Sequence, residues 1–320
     1  MHAPILAGQS GDYLLPPREV SLLLHVALVR AYDRGAFYPE KHYVHLVESV
    51  ASYIRSRPGC ALLLETEIAS ILTDGRRVTG VRTKRGDTFT AARYVSNADP
   101  LRTATMLDAR SLATRWAREL SYEYSSGNIT LYLGVRGIDL REHGFGSWNV
   151  WHYPEDDIDA IYDRQRTNHD FREPWLFMST PTLHTDHPGL CPPGHQILEL
   201  ATSADHAYFR ALRDRDRRAY NVEKKKIRER MIAVVEREFV PGLSKHLAIQ
   251  VMGTPATNER FCTAPAGNAY GSALVPKHVT RRVPKTTPLD NLWLVNATAG
   301  FPSVGGTVGA AIELVDGPLA

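Results

Sequence analysis

The chain has 320 residues, 43% hydrophobic, 23% charged and 9% aromatic, which excludes a disordered tail, a collagen-like repeat and a long coiled coil and leaves room for two domains. Its formal charge of +3, from 38 basic and 35 acidic residues, is too weak to imply nucleic acid as a partner. Cys60, Cys191 and Cys262 form no CxxC pair and cannot close a complete disulfide set, which favours a reducing compartment.

In chain order, Pro16-Pro17 marks a loop, an apolar helix is expected from Glu19 to Tyr32, and Gly35 marks a turn. The run Leu22 to Val29 falls short of the roughly 20 residues of a bilayer span, and Met1-His2-Ala3-Pro4 lacks the regions of a signal peptide, so a cytoplasmic location is expected. Leu46, Val47, Val50, Ala51 and Ile54 recur on one helical face until Pro58-Gly59. The period then changes. Ala61 to Leu64, Ile68 to Leu72 and Arg77 to Thr83 read as strands of a meander, with turns at Asp74-Gly75 and Gly86-Asp87. Tyr94 to Pro100 reads as a strand whose small terminal residues admit close approach to the backbone.

Ile129, Leu131, Leu133 and Val135 alternate with Thr130, Tyr132 and Gly134, the period of a half-buried strand. Further strands are expected at Trp175 to Met178 and Ile197 to Thr202, and a long helix from Arg217 to Phe239, closed by Pro241-Gly242. Asp156-Asp157-Ile158-Asp159 reads as a helix N-terminal charge cluster. His184-Thr185-Asp186-His187 reads as a solvated loop, because two histidines without further ligands do not make a zinc site, and no metal is expected. Lys224 to Lys226, with Arg213, Arg215, Arg217 and Arg218, reads either as a solvated helix face or as a point of peripheral membrane contact. Tyr124, Tyr132, Trp148, Trp151 and Tyr153 read first as core packing, with an apolar tunnel as the alternative that would use the same residues. Near the end come a strand, Leu292 to Val295, a glycine-rich loop from Asn296 to Thr307, and a helix from Val308 to Leu314; amides at such a helix start favour an anion.

Several of these segments together resemble the phytoene desaturase and carotenoid isomerase branch of the FAD-dependent oxidoreductases. They are Gly35-Ala36-Phe37-Tyr38-Pro39 before a helix, Thr66-Glu67-Ile68 and Gly80-Val81 in the meander, Val95-Ser96-Asn97-Ala98-Asp99-Pro100, Leu131-Tyr132-Leu133-Gly134, Cys191-Pro192-Pro193-Gly194-His195, Thr254-Pro255-Ala256-Thr257, and Asn291 through Gly309. The resemblance implies an α/β fold with α+β character. An incomplete FAD-binding domain would accompany a substrate domain of mixed β-sheet and helices. The segments would be 1–59, helical and joining the two domains; 60–107, the FAD-domain meander; 108–262, the substrate domain; and 263–320, the C-terminal FAD-domain segment. It implies FAD as cofactor, contacted by Glu67, Ile68, Asn97, Ala98, Gly300, Phe301, Pro302, Gly305, Gly306 and Thr307. No catalytic side chain is assigned, since the cofactor carries the chemistry.

The family opens with a strand, GxGxxG and a helix that cradle the pyrophosphate. This sequence contains no such unit and resembles the family's interior from its first residues, so its own hold on FAD is expected to be weakened. Glu40-Lys41-His42-Tyr43 stands where the family has a pair of glycines facing the ring, and Asn296 stands where a glycine is usual. The implied activity is desaturation, isomerisation or saturation of a carotenoid, isoprenoid or other lipid-like polyene by a partial chain, whose nucleotide-binding unit is either a separate N-terminal nucleotide-binding polypeptide acting as a partner or is missing from a truncated product. The alternative is a non-catalytic subunit or degenerate apolar-ligand binder that needs a partner to complete the cofactor site.

Overall fold

Residues 3–319 are described by the structure, a computed structural model; the expectations that touch Met1, His2 and Ala320 lie outside the described residues. In chain order the elements are α1 (Ala3–Gly8), α2 (Leu22–Tyr32), α3 (His42–Ser56), β1 (Ile68–Asp74), β2 (Arg77–Thr83), β3 (Thr88–Phe89), β4 (Tyr94–Ser96), α4 (Pro100–Thr105) and α5 (Arg110–Glu119). They continue with β5 (Gly127–Arg136), β6 (Val150–His152), α6 (Ile158–Arg166), β7 (Leu176–Ser179), β8 (His195–Ala204), α7 (His206–Arg215), α8 (Arg217–Glu238) and β9 (Leu247–Gly253). The last are α9 (Pro255–Phe261), α10 (Pro276–Thr280), β10 (Leu292–Leu294) and α11 (Val304–Val315). This mixture is the expected α/β class with α+β character.

Two sets of segments pack as separate units: residues 126–269 with the segment before 62, and 62–125 with 270–320. The first unit is built on an antiparallel five-stranded sheet in the order β6-β7-β8-β5-β9. On β5 the alternation in the sequence decides the faces. Ile129, Leu131, Leu133 and Val135 are fully buried with Leu198 and Leu200 of β8, and the apolar stripe of α8 (Ile227, Met231, Val234, Val235) joins the same cluster. Asp216 caps α8 by accepting from the amides of Arg218 and Ala219 at 2.8 and 3.0 Å. Asp157 caps α6 in the same way, accepting from Ala160 at 3.0 Å, so the acidic cluster does mark a helix start.

The second unit contains a three-stranded sheet, β1-β2-β3, and a parallel pair, β10-β4. Its core joins Ile71, Val78, Ala104, Leu107 and Trp116 to Leu289, Leu292 and Leu294. Asn291 ties the two sheets together: its Oδ1 accepts from the Val78 amide at 2.8 Å, and its Nδ2 donates to the carbonyls of Val78 and Ala92 at 3.0 and 3.2 Å.

Three expectations need correction. Ala61 to Leu64 is not a strand: Glu65 turns the backbone at φ 52°, and Leu63 and Leu64 are exposed, so the run has neither a ladder nor a buried face. The third strand of the meander is instead the two-residue β3, too short to show a period. The apolar helix starts at Leu22 rather than Glu19, because Ser21 caps it by accepting from the Leu24 amide. The last helix starts at Val304, four residues before the apolar run, because Ser303 caps it; Gly305, Gly306 and Thr307 belong to its first turn, not to the loop. Among the described residues, no helix is long and apolar enough to cross a membrane.

Candidate functional site

In the second unit β4 and β10 pair in parallel, with Tyr94 opposite Leu292 and Ser96 opposite Leu294, so both strands run out at one edge. The carboxyl ends of parallel strands are where open α/β sheets receive ligands. The residues that follow lock together there. Asn97 donates its side-chain amide to the Val295 carbonyl, and Asn296 donates to the Ala98 carbonyl at 2.8 Å. The Oδ1 of Asn296 accepts from the amides of Thr298 and Ala299 at 3.0 and 2.9 Å, and its carbonyl accepts from Gly300 at 2.8 Å. A glycine could make only the last of these bonds. Asn296 therefore organises the turn that a bare glycine would leave loose.

The turn is clamped from outside by Arg282, whose Nε donates to the Gly300 carbonyl at 2.8 Å and whose Nη2 donates to the Ala297 carbonyl. Its guanidinium lies 5.1 Å from the centre of the Phe301 ring, and burial pushes its pKa down from the usual range. Nothing in the sequence singles Arg282 out. Ser303 adopts φ 147° and ψ 165°, a conformation costly for any side chain, and caps α11 by accepting from the Gly306 amide at 2.8 Å. Two glycines of the turn are required by packing: a Cβ at Gly306 would lie 2.6 Å from the Phe301 carbonyl oxygen, and one at Gly300 would lie 3.1 Å from the Asn296 carbonyl oxygen. Gly305 and Gly309 differ, since a Cβ on either would meet nothing within 4 Å.

The structure thus brings together Asn97, Ala98 and the turn that carries Gly300, Phe301, Pro302, Gly305, Gly306 and Thr307. Glu67 and Ile68 are placed otherwise. Ile68 pairs with Thr83 in the three-stranded sheet, and Glu67 is exposed and ion-paired with Lys84 at 2.8 Å and with Arg102 of α4 at 3.7 Å. No hydrogen bond among the described residues links them to the 300–307 turn. Asp99 begins α4 and accepts from the hydroxyls of Tyr122 and Tyr124; with burial as the larger cause, its charge helps push both phenols above their usual range.

In the first unit one face of the five-stranded sheet carries the core; the other is open along β5 and β9 and half-buried or buried toward β6 and β7, where Ser179 is 6% exposed. Strand register places Tyr132, Ile249 and Val251 on the open face with Phe177, Ile197, Ala201 and Glu199; the first three are 46%, 59% and 53% exposed. Of the five aromatics grouped from the sequence, Tyr132 and Trp151 share this face. Trp151 packs 4.9 Å from Phe177, with Gly11 against its ring. Tyr153 stacks near Trp175 and donates to the Gly8 carbonyl, Trp148 is 58% exposed, and Tyr124 belongs to the other unit.

The 184–187 segment packs rather than standing in solvent. The His184 ring lies 4.8 Å from Tyr38, and burial, reinforced by His42, pushes its pKa down. His42, at φ 67°, is buried and hydrogen-bonded to the His187 carbonyl at 3.2 Å, so the bulky 40–43 segment closes on this cluster. Lys224 donates to the Met252 carbonyl at 2.9 Å, and Lys225 and Lys226 pair with Glu229 and Glu223, which makes this run a helix face with local partners.

Glu199 sits on the central strand with Tyr132 and Ser179 directly opposite, and Tyr38 near enough to feel its charge. Among the described residues no hydrogen bond or ion pair engages its carboxyl, and burial raises its pKa above the ordinary carboxylate range. Its charged form is favoured more in the unfolded chain than in the folded one, so this group costs stability as pH rises through the folded pKa. Glu199→Gln is expected to stabilise the protein by about 1 kcal/mol at neutral pH. The gain should vanish in acid below the usual carboxylate range, where both states hold the proton; urea unfolding at several pH values checks this.

No family model matches the sequence. Over 307 residues it is 23% identical to all-trans-retinol 13,14-reductase of Danio rerio, covering 91% of this chain and 50% of that protein. It is 27% identical over 319 residues to the lycopene-forming phytoene desaturase of a Paracoccus strain, covering 92% of this chain and 58% of that one. The chain therefore spans little more than half the length of these relatives. Among solved structures, an oxidoreductase from Methanosarcina mazei superposes with a TM-score of 0.65 at 15% identity, over 98% of this chain and 64% of that one, and shows a shared fold. By sequence the chain is similar to a retinol reductase and a phytoene desaturase over part of their length, and by fold it is similar to an oxidoreductase.

Proposed function

We propose that this chain is part of an FAD-linked oxidoreductase that desaturates, isomerises or saturates a carotenoid, retinoid or other isoprenoid polyene. The observation that carries the reading is the turn in the second unit, where Asn97, Ala98 and the start of α11 converge at the carboxyl ends of two parallel strands. A flavin fits that turn: Gly305 and Gly309 leave its surface clear, and while the amides of Gly306 and Thr307 are taken by Ser303, those of Val304 and Gly305 make no hydrogen bond among the described residues. When bound, the flavin supplies hydride acceptance or donation. Asn97, Ala98 and Gly300 to Thr307 would orient it, and Glu67 and Ile68 would offer backbone contacts to the adenine. This reading takes the GxGxxG unit to come from outside the chain, on a separate polypeptide, and the open sheet face of the first unit to receive the polyene. Membrane contact through Lys224 to Lys226 is left out of it, because those lysines already have partners.

The test is titration of the purified chain with FAD, followed by flavin fluorescence, for wild type and Gly305→Ala. Wild type is expected to give saturable quenching. Gly305→Ala should stabilise α11 by about 0.5 to 1 kcal/mol, as alanine does within a helix, while weakening flavin uptake about tenfold by narrowing the clear surface. Folded wild type that shows no saturable quenching, or a variant that binds as wild type does, would overturn the placement of the flavin at this turn.

A further inference from the structure

We propose that Glu199 is a specificity residue that reads a hydroxyl group on an otherwise apolar ligand lying along the open face of the five-stranded sheet. The ligand class it selects is an isoprenoid or long-chain alcohol over the parent hydrocarbon. The proposal rests on the apolar-substrate reading above and adds to it the one polar group that the face would recognise.

The placement follows from register. Glu199 lies on β8, the middle strand of the order β6-β7-β8-β5-β9, so it stands near the centre of the face and not at its rim. Its neighbours across the strands are Tyr132 and Ser179, and those along its own strand are Ile197 and Ala201. One row further out lie Val251, opposite Tyr132, and Phe177, opposite Ala201. Ile249 leans over Gly134, whose missing side chain gives it the room. The surroundings of the carboxyl are thus mainly hydrocarbon and aromatic carbon.

A carboxyl at such a place ordinarily has a cation or several donors, because burying it without them is unfavourable. Here no arginine, lysine or histidine pairs with it among the described residues. The titratable groups facing it are phenols: Tyr132 from β5, with Cys262 beyond it, and Tyr38 from the segment before α3, with His184 against that ring. Both phenols are raised mainly by burial, Tyr132 next by the carboxyl and Tyr38 next by Tyr43 and then by the carboxyl, so they face it as neutral groups. Glu199 is half-buried and its carboxyl oxygens are not sealed off, so they can be solvated while that part of the face is empty. A wholly apolar ligand would displace that solvent and leave the oxygens bare, whereas a ligand with one hydroxyl restores a hydrogen bond on contact. Sites built to bond a hydroxyl discriminate strongly against analogues that lack one. The carboxyl accepts from the hydroxyl when ionised and can also donate to it when protonated, so recognition does not depend on one protonation state.

The experiment compares farnesol with farnesene, an isoprenoid alcohol against the related hydrocarbon. Both are delivered from cyclodextrin to the full chain and followed by titration calorimetry. Wild type is expected to bind farnesol at least about tenfold more tightly than farnesene. Glu199→Gln, which keeps hydrogen-bonding capacity, should retain most of that preference, and Glu199→Leu should abolish it by strengthening the hydrocarbon and weakening the alcohol. Circular dichroism confirms that each variant is folded, and Tyr132→Phe serves as a second variant that should leave the preference in place. Equal binding of the two ligands by wild type, or a preference that survives in Glu199→Leu, would overturn the assignment to Glu199 while the apolar face stands. If neither ligand binds the folded wild type, the apolar-substrate reading of this face fails with it.

Discussion

Asn291→Leu is expected to destabilise the second unit by about 2 to 4 kcal/mol. The side chain is 4% exposed and makes three hydrogen bonds to backbone groups of distant segments: the amide and the carbonyl of Val78, and the carbonyl of Ala92. Leucine is close in volume but has neither donor nor acceptor, so it would strand the Val78 amide and carbonyl, at a residue that is itself 3% exposed. Groups left unpaired in this way cost their full desolvation, not merely the modest net worth of a bond. Urea unfolding followed by tryptophan fluorescence should show the loss, with Trp116 and Trp293 reporting on this unit. Unfolding unchanged from wild type would mean that the two sheets are joined mainly by their apolar contacts. Asn291→Asp is the informative companion: it keeps the acceptor for the Val78 amide and loses the two donors.

Gly306→Val is the second large effect. At this position the new Cβ would fall 2.6 Å from the Phe301 carbonyl oxygen and 3.0 Å from the Phe301 Cβ. The obstacle is mostly backbone, which cannot swing aside as the end of a flexible side chain does. The turn must open, and it is held by the Ser303 cap on the Gly306 amide and by Arg282 on the Gly300 carbonyl. A cost of about 3 kcal/mol is expected, in the upper part of the range for overpacking. Flavin uptake should be lost with it if the cofactor sits at this turn. Gly305→Ala, at the neighbouring position with open space, is expected to keep the fold, with α11 somewhat stabilised, and to reduce flavin uptake. A Gly306→Val protein as stable as wild type would show that the turn has another conformation within easy reach.

Much of the first unit was legible from sequence because its signals are periodic. Alternation on β5 identified the buried residues correctly, and the long stripe of α8 located that helix to within a residue of its end. The capping residues would have improved the helix starts. Ser21 and Ser303 both precede the helices they cap, and reading them would have moved Glu19 to Leu22 and Val308 to Val304. The failure at Ala61 to Leu64 has another cause: apolar content alone does not make a strand, which also needs a partner and an extended backbone. The positive φ at Glu65 is invisible in a residue that rarely adopts it. The 184–187 loop was misjudged because the aromatic that covers it, Tyr38, lies far away along the chain.

The sequence by itself determined the class of fold, the place of its most periodic elements such as β1, β2, β5, β8, α3 and α8, and the family resemblance, because each rests on local periodicity or on short motifs read in order. Only the tertiary structure showed that Asn97 and Ala98 meet Val295 and Asn296, about two hundred positions away, through a parallel pairing that no local pattern announces. The same holds for Arg282 over Phe301 and for Glu199 at the centre of an open sheet face. Local patterns record which side of an element is buried; which elements become neighbours, and which polar groups are left among carbon, depends on packing between segments far apart in the chain.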